Sequence, residues 1–322
     1  MSKFTFLSPN SLEEAFAAIR ETPHPEGVFM SGGTDLLLQR RHKLIDPKTV
    51  VYLKNIPSLS GIRSTEDGGL AIGAMTTLDD VADSPLVKDG CPMLAQAAFS
   101  VASVQIRHKA TLGGNICLNT RCWFYNRSPF WRSQYPDCRK AAGGATCYVV
   151  PKSRKGCFAL QSGDTAGPLT ALDARIKLVS DEGERIVKIE NFYLNDGIEN
   201  LDLKPGEILT EVILPPAPGP GSFFKCRPQN NMDFATFSLS VLPPLKDAQS
   251  RIVVGSVASR PLRAREAEDI FNQGSRDFAA IARTAVKELK LVSFVRGSVD
   301  YKKQAIEAHL TRILEHSVWQ RG

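Results

Sequence analysis

Four of the seven cysteines crowd into one stretch: Cys122, Cys138, Cys147 and Cys157. The stretch lies between two glycine-rich turns, Thr111-Leu112-Gly113-Gly114-Asn115 and Ser162-Gly163-Asp164-Thr165-Ala166-Gly167-Pro168-Leu169. A loop of about forty residues with neither a metal nor a core of its own is expected to be disordered. This stretch therefore has to be held by what its cysteines bind, by its aromatic residues, or by both. The intervals between the cysteines are 15, 8 and 9 residues, and the sequence has no Cys-x-x-Cys pair. Zinc ribbons and most ferredoxin-type clusters show such pairs, so spacing alone does not decide the ligand.

Charge says more. From Arg121 to Cys157 the cations are Arg121, Arg127, Arg132, Arg139, Lys140, Lys152, Arg154 and Lys155, against the single acid Asp137, a net of +7. Four thiolates around a metal centre carry net negative charge, which such cations would stabilise. The same patch would suit an acidic electron carrier. Trp123, Phe124, Tyr125, Phe130, Trp131, Tyr135, Tyr148 and Phe158 either wall a cluster off from water or form a small satellite core. The preferred reading is a [4Fe–4S] cluster on Cys122, Cys138, Cys147 and Cys157. Structural zinc and ordinary buried cysteines are the alternatives. Cys91 and Cys226 read as packing residues, and Cys117, beside the glycine turn, is a weaker ligand candidate.

With 322 residues the chain holds two or three domains. Its net charge of +6 comes without a nucleic-acid-binding motif. No apolar run is long enough to span a bilayer, and Met1–Phe6 lacks a signal-peptide core. The expected location is the cytoplasm, where clustered cysteines serve as metal or redox groups rather than disulfides.

Three segments follow. In residues 1–54, Phe4–Leu7 reads as a strand. Ser11-Leu12-Glu13-Glu14 is a capping box opening a helix along Leu12, Phe16 and Ile19. Gly27–Met30 runs into Ser31-Gly32-Gly33-Thr34-Asp35, which reads either as a turn that lets backbone amides approach an anion or as an ordinary tight turn. Val50–Leu53 is a buried strand. In residues 55–218, strands are expected at Gly69–Ala74, Arg175–Val179, Arg185–Ile189 and Gly206–Leu214. A hairpin turn falls at Asp181–Glu184, and helices at Pro92–Val104 and Leu169–Ala174. The insert occupies about 120–161. Two paired-glycine turns, one in each segment, suit a pyrophosphate between them. The Pro/Gly connector Pro215–Gly221 leads to 219–322, where strands near 223–225, 236–241 and 252–257 precede helices near 264–271, 278–289 and 301–315.

Ser31-Gly32-Gly33-Thr34-Asp35-Leu36, Ile72-Gly73-Ala74-Met75-Thr76-Thr77-Leu78 and Gln105-Ile106-Arg107…Thr111-Leu112-Gly113-Gly114-Asn115 resemble the FAD-binding medium subunits of the molybdenum hydroxylases. These are the xanthine dehydrogenase and carbon monoxide dehydrogenase relatives. The cysteine-bearing insert is similar to that of the 4-hydroxybenzoyl-CoA reductase branch. The resemblance implies an α+β fold: a two-part FAD-binding α/β region with the insert, then an antiparallel sheet and a helical bundle. It implies that Ser31, Gly32, Gly33, Thr34, Thr111, Gly113 and Gly114 hold the pyrophosphate of a non-covalent FAD. Asn115 and Asp164 would contact the ribityl–phosphate region, although Gln161-Ser162-Gly163 replaces the usual Ser-Pro before the acid. Ala102 would line the cofactor wall and Lys225 would sit near the isoalloxazine. Phe29, Met30, Asp35 and Leu209 complete the implied set. The implied partners are a molybdenum-cofactor large subunit and a small subunit with two [2Fe–2S] centres, in a dimer of heterotrimers. The implied function is relay of electrons from ferredoxin through [4Fe–4S] and FAD for reductive dehydroxylation. Outward flow to NAD and a non-redox, zinc-stapled scaffold are the other readings.

Overall fold

The structure is a computed structural model that describes residues 3–141, 143–154, 156–216, 219–229, 232–245, 248–293 and 297–319. At its start, Ser11 is extended and accepts the Glu14 amide, which caps the helix Leu12–Glu21. Glu14 reaches back to the Asn10 amide at 2.8 Å. The helix buries Ala15, Phe16 and Ile19. Beside it lie three parallel strands, β1 (Thr5–Leu7), β2 (Gly27–Met30) and β3 (Thr49–Tyr52), in the order β1-β3-β2. They are parallel because helices Leu12–Glu21 and Leu36–Arg41 carry the chain back between strands.

The second sheet is antiparallel. It comprises β4 (Ile62–Ser64), β5 (Leu70–Gly73), β6 (Arg175–Ser180), β7 (Gly183–Lys188) and β8 (Ile208–Leu214), in the order β4-β5-β8-β6-β7. The β6–β7 hairpin turns on Asp181-Glu182, since Ser180 pairs with Gly183. One apolar core joins both sheets, running from Phe16 and Val51 through Leu94 and Leu112 to Ile176 and Val212.

A third sheet, β9 (Ser222–Cys226), β10 (Phe237–Leu242), β11 (Arg251–Gly255) and β12 (Leu262–Arg263), is antiparallel in the order β12-β11-β10-β9. It packs on helices Arg265–Asn272, Phe278–Glu288 and Val299–Trp319 through a separate core that includes Phe237, Val254, Phe271, Ile281, Ile306 and Leu310. The α+β architecture implied by the resemblance is the one observed. No described helix is long and apolar enough to cross a membrane.

Two expected helices move. The one expected over 92–104 stops at Phe99, and Ala102 takes a left-handed φ of 42°, which an α-helix cannot accommodate. The one expected at 169–174 runs instead over Ala166–Ala171. Residues 217 and 218 of the Pro/Gly connector, and Lys155 of the insert, lie outside the described residues.

The insert leaves and rejoins the fold at one point. Arg121 and Leu160 form an antiparallel bridge, each amide donating to the other's carbonyl at 2.8 Å. Between them a short helix, Pro129–Arg132, is capped by Ser128. Phe124, Trp131, Tyr135 and Tyr148 make a ring cluster with centroids 5.1 to 6.3 Å apart.

Candidate functional site: a cleft between two glycine turns and a four-cysteine cavity

Strand β2 ends in Ser31-Gly32-Gly33. Gly33 has φ +70°, a left-handed conformation that favours glycine. A Cβ on Gly32 would lie 1.9 Å from the Lys109 carbonyl oxygen, so this turn packs backbone-to-backbone on the segment leading into the second turn. That second turn opens the short helix Leu112–Ile116, where Thr111 accepts the Gly114 amide at 3.0 Å. A Cβ on Gly114 would come within 2.5 Å of Ser31 Oγ. The two turns therefore face each other across bare backbone.

They form the walls of a cleft of about 400 Å³. Of the residues implied by the resemblance, Phe29, Met30, Ser31, Gly33, Thr34, Asp35, Ala102, Thr111, Gly114, Asn115, Asp164 and Lys225 line it. Gly32 and Gly113 lie behind the lining, packed against Lys109 and Ala74. Leu209 is buried in the core on β8 and does not reach the cleft. Asn115 Oδ1 accepts both the amide and the hydroxyl of Thr165, at 3.1 and 2.7 Å, and so ties the second turn to the segment after the insert.

The floor carries a buried ion pair. Lys225 Nζ lies 2.6 Å from Asp164 Oδ2, both side chains 5% exposed, and also donates to the Ser100 carbonyl. Burial pushes the Asp164 carboxyl above its ordinary value, against the pull of Lys225 and, further off, Arg227. Its other oxygen, Oδ1, is buried with no protein partner, as is Ser162 Oγ on the same wall. Buried polar atoms left open in this way call for a ligand that donates and accepts hydrogen bonds. The bare glycine turns and these two atoms fit a flavin dinucleotide, with its pyrophosphate and ribityl hydroxyls. Ser162, Arg121 and the segment 232–234 also line the cleft. The resemblance gave them no role there. The signal for Ser162 was its place in Ser-Gly-Asp beside Asp164.

The insert abuts this cleft through Arg121, whose guanidinium pairs with Asp35. Directly beyond, Cys122, Cys138, Cys147 and Cys157 line one small cavity together with Phe124, Tyr125, Arg139, Lys140, Tyr148 and Val149. Cys122, Cys147 and Cys157 are buried and Cys138 half-buried. Burial pushes the Cys122 thiol up to about 11 and raises that of Cys157. Among the described residues, no three His, Cys, Asp or Glu side chains are gathered so that they could hold one metal ion. The quartet surrounds a common space without converging on a point. Cys117 lines the flavin-sized cleft instead, its thiol pushed up to about 12 by burial.

The cations of the insert mostly bond its own backbone and that of its neighbours. Arg132 donates to the carbonyls of Arg127, His42 and Lys43, and Arg139 to those of Ala145, Ser153 and Gly156. Arg127 lies over the Trp123 ring at 3.3 Å. Lys140 turns inward, where burial pulls its ammonium down to about 8 against the opposing pull of Cys157, Cys122, Asp196 and Asp35. Arg127, Arg132, Arg139 and Lys140 thus act as internal staples, a use that sequence does not reveal.

A crevice between two glycine turns, followed by a sheet-and-helix domain, defines a flavin-binding chain of two-domain build. Residues 2–217 match the FAD-binding domain of the molybdopterin dehydrogenases, and 222–317 match the C-terminal domain of the carbon monoxide dehydrogenase flavoprotein. The chain belongs to this family of oxidoreductase subunits. It is 30% identical to the aldehyde oxidoreductase FAD-binding subunit PaoB of Escherichia coli, over 91% of this chain and 95% of that one. It is 25% identical to the carbon monoxide dehydrogenase medium chain of Hydrogenophaga pseudoflava, over 99% and 98%. A solved structure of carbon monoxide dehydrogenase from that organism superimposes with a TM-score of 0.78 at 23% identity, covering 98% of this chain and 96% of that one. Quinoline 2-oxidoreductase from Pseudomonas putida 86 does so at 0.76 and 21% identity, over 98% and 96%.

Proposed function

We propose that this chain is the electron-relay subunit of a molybdenum enzyme, holding FAD in the cleft and a [4Fe–4S] cluster on Cys122, Cys138, Cys147 and Cys157. The enzyme is proposed to remove the phenolic hydroxyl of 4-hydroxybenzoyl-CoA reductively. Its other chains would be a molybdenum-cofactor large subunit and a small subunit with two [2Fe–2S] centres, in a cytoplasmic dimer of heterotrimers that takes electrons from ferredoxin. When bound, FAD would supply one- or two-electron exchange and the cluster one-electron exchange.

The observation that carries this reading is the shared cavity of four cysteines built into the rim of the cleft. Four thiolates on one tetrahedral zinc, with Zn–S near 2.3 Å, would stand about 3.8 Å apart. In a cubane each thiolate binds a different iron, so the ligands stand wider around a larger core. What supports the cluster is that all four cysteines line one cavity.

The chain's own residues would divide the work. Ser31, Gly32, Gly33, Thr34, Thr111, Gly113 and Gly114 would hold the pyrophosphate through the two turns. Asp164 Oδ1 would accept from a ribityl hydroxyl, and Asn115 would fix the second turn to Thr165. Phe29, Met30, Asp35 and Ala102 would form the wall. Leu209, behind the cleft, would back it. Lys225 would stand by the ring system, its ammonium held on Asp164.

The test is anoxic purification followed by iron, acid-labile sulfide and flavin analysis per chain. About four irons, four sulfides and one FAD support the relay. FAD with zinc and no iron would reduce the insert to a staple. Reduced ferredoxin against NAD⁺ in steady-state assays would then fix the direction of electron flow.

A further inference from the structure

We propose that Lys140 is a positioning residue that couples the two sites: its buried ammonium raises the reduction potential in the cysteine cavity and in the flavin cleft together. The proposal rests on the electron-relay reading above.

Lys140 belongs to the insert and lines the cysteine cavity. Its Nζ nevertheless crosses out of the insert. It donates to Asn119 Oδ1 at 2.7 Å, to the Thr120 carbonyl at 2.9 Å, to Thr120 Oγ1, and to the Gly197 carbonyl at 2.7 Å. Thr120 is fully buried and itself donates to the Gly197 carbonyl. Asn119 lines the flavin cleft. One ammonium therefore touches a residue of one site while forming the wall of the other. On the cavity side it also faces the Tyr125 ring, 5.2 Å from its centroid.

The hydrogen-bond partners of Lys140 are all neutral oxygens. Of the other cations on these walls, Arg121 and Lys225 each sit on a carboxylate, Asp35 and Asp164 respectively, whereas Arg139 bonds carbonyls but lines the cysteine cavity alone. A contact ion pair cancels most of a cation's field a short distance away, whereas carbonyl and hydroxyl partners orient the ammonium without neutralising it. Reduction adds one negative charge to either centre, and a cation in a low-dielectric wall, on which Asp196 and Asp35 act through space rather than as contact partners, stabilises that reduced form. Its carbonyl partners hold it from both sides of the insert junction. The charge is thus fixed between the two centres.

The experiment uses the whole complex, purified anoxically as wild type, Lys140→Met, Lys140→Gln and Lys140→Arg. Iron and flavin contents are measured first. Midpoint potentials follow, from redox titrations monitored by electron paramagnetic resonance for the cluster and by absorbance for the flavin. Where a neutral variant keeps its iron and FAD, both potentials are expected to fall, and Lys140→Arg is expected to hold both near the wild-type values. A loaded neutral variant with unchanged potentials, or with only one shifted, overturns the proposal. Loss of iron from both neutral variants, with Lys140→Arg loaded, makes Lys140 a staple and also overturns it. Wild-type protein without iron overturns the relay reading itself, which is a different failure seen at the first measurement.

Discussion

The flavin cleft and the cysteine cavity touch at Arg121 and Cys122, yet they are built in opposite ways. The cleft is backbone: two glycine turns seated on one large apolar core, with Leu112 and Ile116 fully buried beneath the second. The cavity has almost no core of its own. Its buried apolar cluster is Cys122, Cys157 and Ala159, with Phe124, Tyr125 and Val149 packed against them. What it has instead is guanidinium and ammonium groups bonded to carbonyls. The first shape is set by the fold. The second is set by polar staples, and a ligand bound by its thiols would add folding energy to the loop that carries them. The two should therefore fail separately.

The largest effect is expected for Cys138→Ser. Iron should be lost while FAD is retained, and protease cutting within 122–157 should become rapid. Flavin and iron analysis with limited proteolysis checks this, and FAD leaving together with iron would make the two sites one unit. Next comes Gly32→Ala, the reverse experiment. The new Cβ would meet the Lys109 carbonyl at 1.9 Å and force the two turns apart. Flavin affinity should fall about tenfold or more, the equivalent of roughly 1.4 kcal/mol, with iron content unchanged.

A third effect belongs to neither site. Lys302 is fully buried in the C-terminal domain, with its Nζ on the Val292 carbonyl at 3.0 Å. Burial pulls its ammonium down from 10.5 to about 8. Between those two values the unfolded chain binds more protons than the folded one, so stability rises with pH across that window. Below it both states are charged and the burial cost is full. The gain is about 3 kcal/mol at most. Denaturant titrations from pH 7.5 to 10.5 should show this rise in the wild type and lose it in Lys302→Met, with iron and FAD contents unchanged in both.

Much of this was legible in the residues, for local reasons. Ser11 and Glu14 cap a helix within four positions, and Asp181-Glu182 turn a hairpin between alternating strands. Such signals need no distant partner. The paired glycines were legible as turns, but their facing each other depends on the Lys109 backbone, which no local pattern announces. The helix expected through Val104 failed because apolar spacing says nothing about Ala102, whose left-handed φ brings it to the cleft wall. In the sequence the cations of the insert read as one field. Their partners are carbonyls far along the chain, such as His42 for Arg132 and Gly197 for Lys140, which only the fold brings near.

The rung between Arg121 and Leu160 closes the two ends of the insert on each other with two backbone hydrogen bonds. A hairpin-like junction of this kind works as a socket. Chain of any length can be looped out from it without shifting the register on either side, since both ends return to the same pair of peptide groups. The neighbouring turn at Thr111–Asn115 and the carboxylate at Asp164 are then indifferent to what hangs outside. A segment such as this insert is accommodated here as a plug-in, without rebuilding the flavin scaffold.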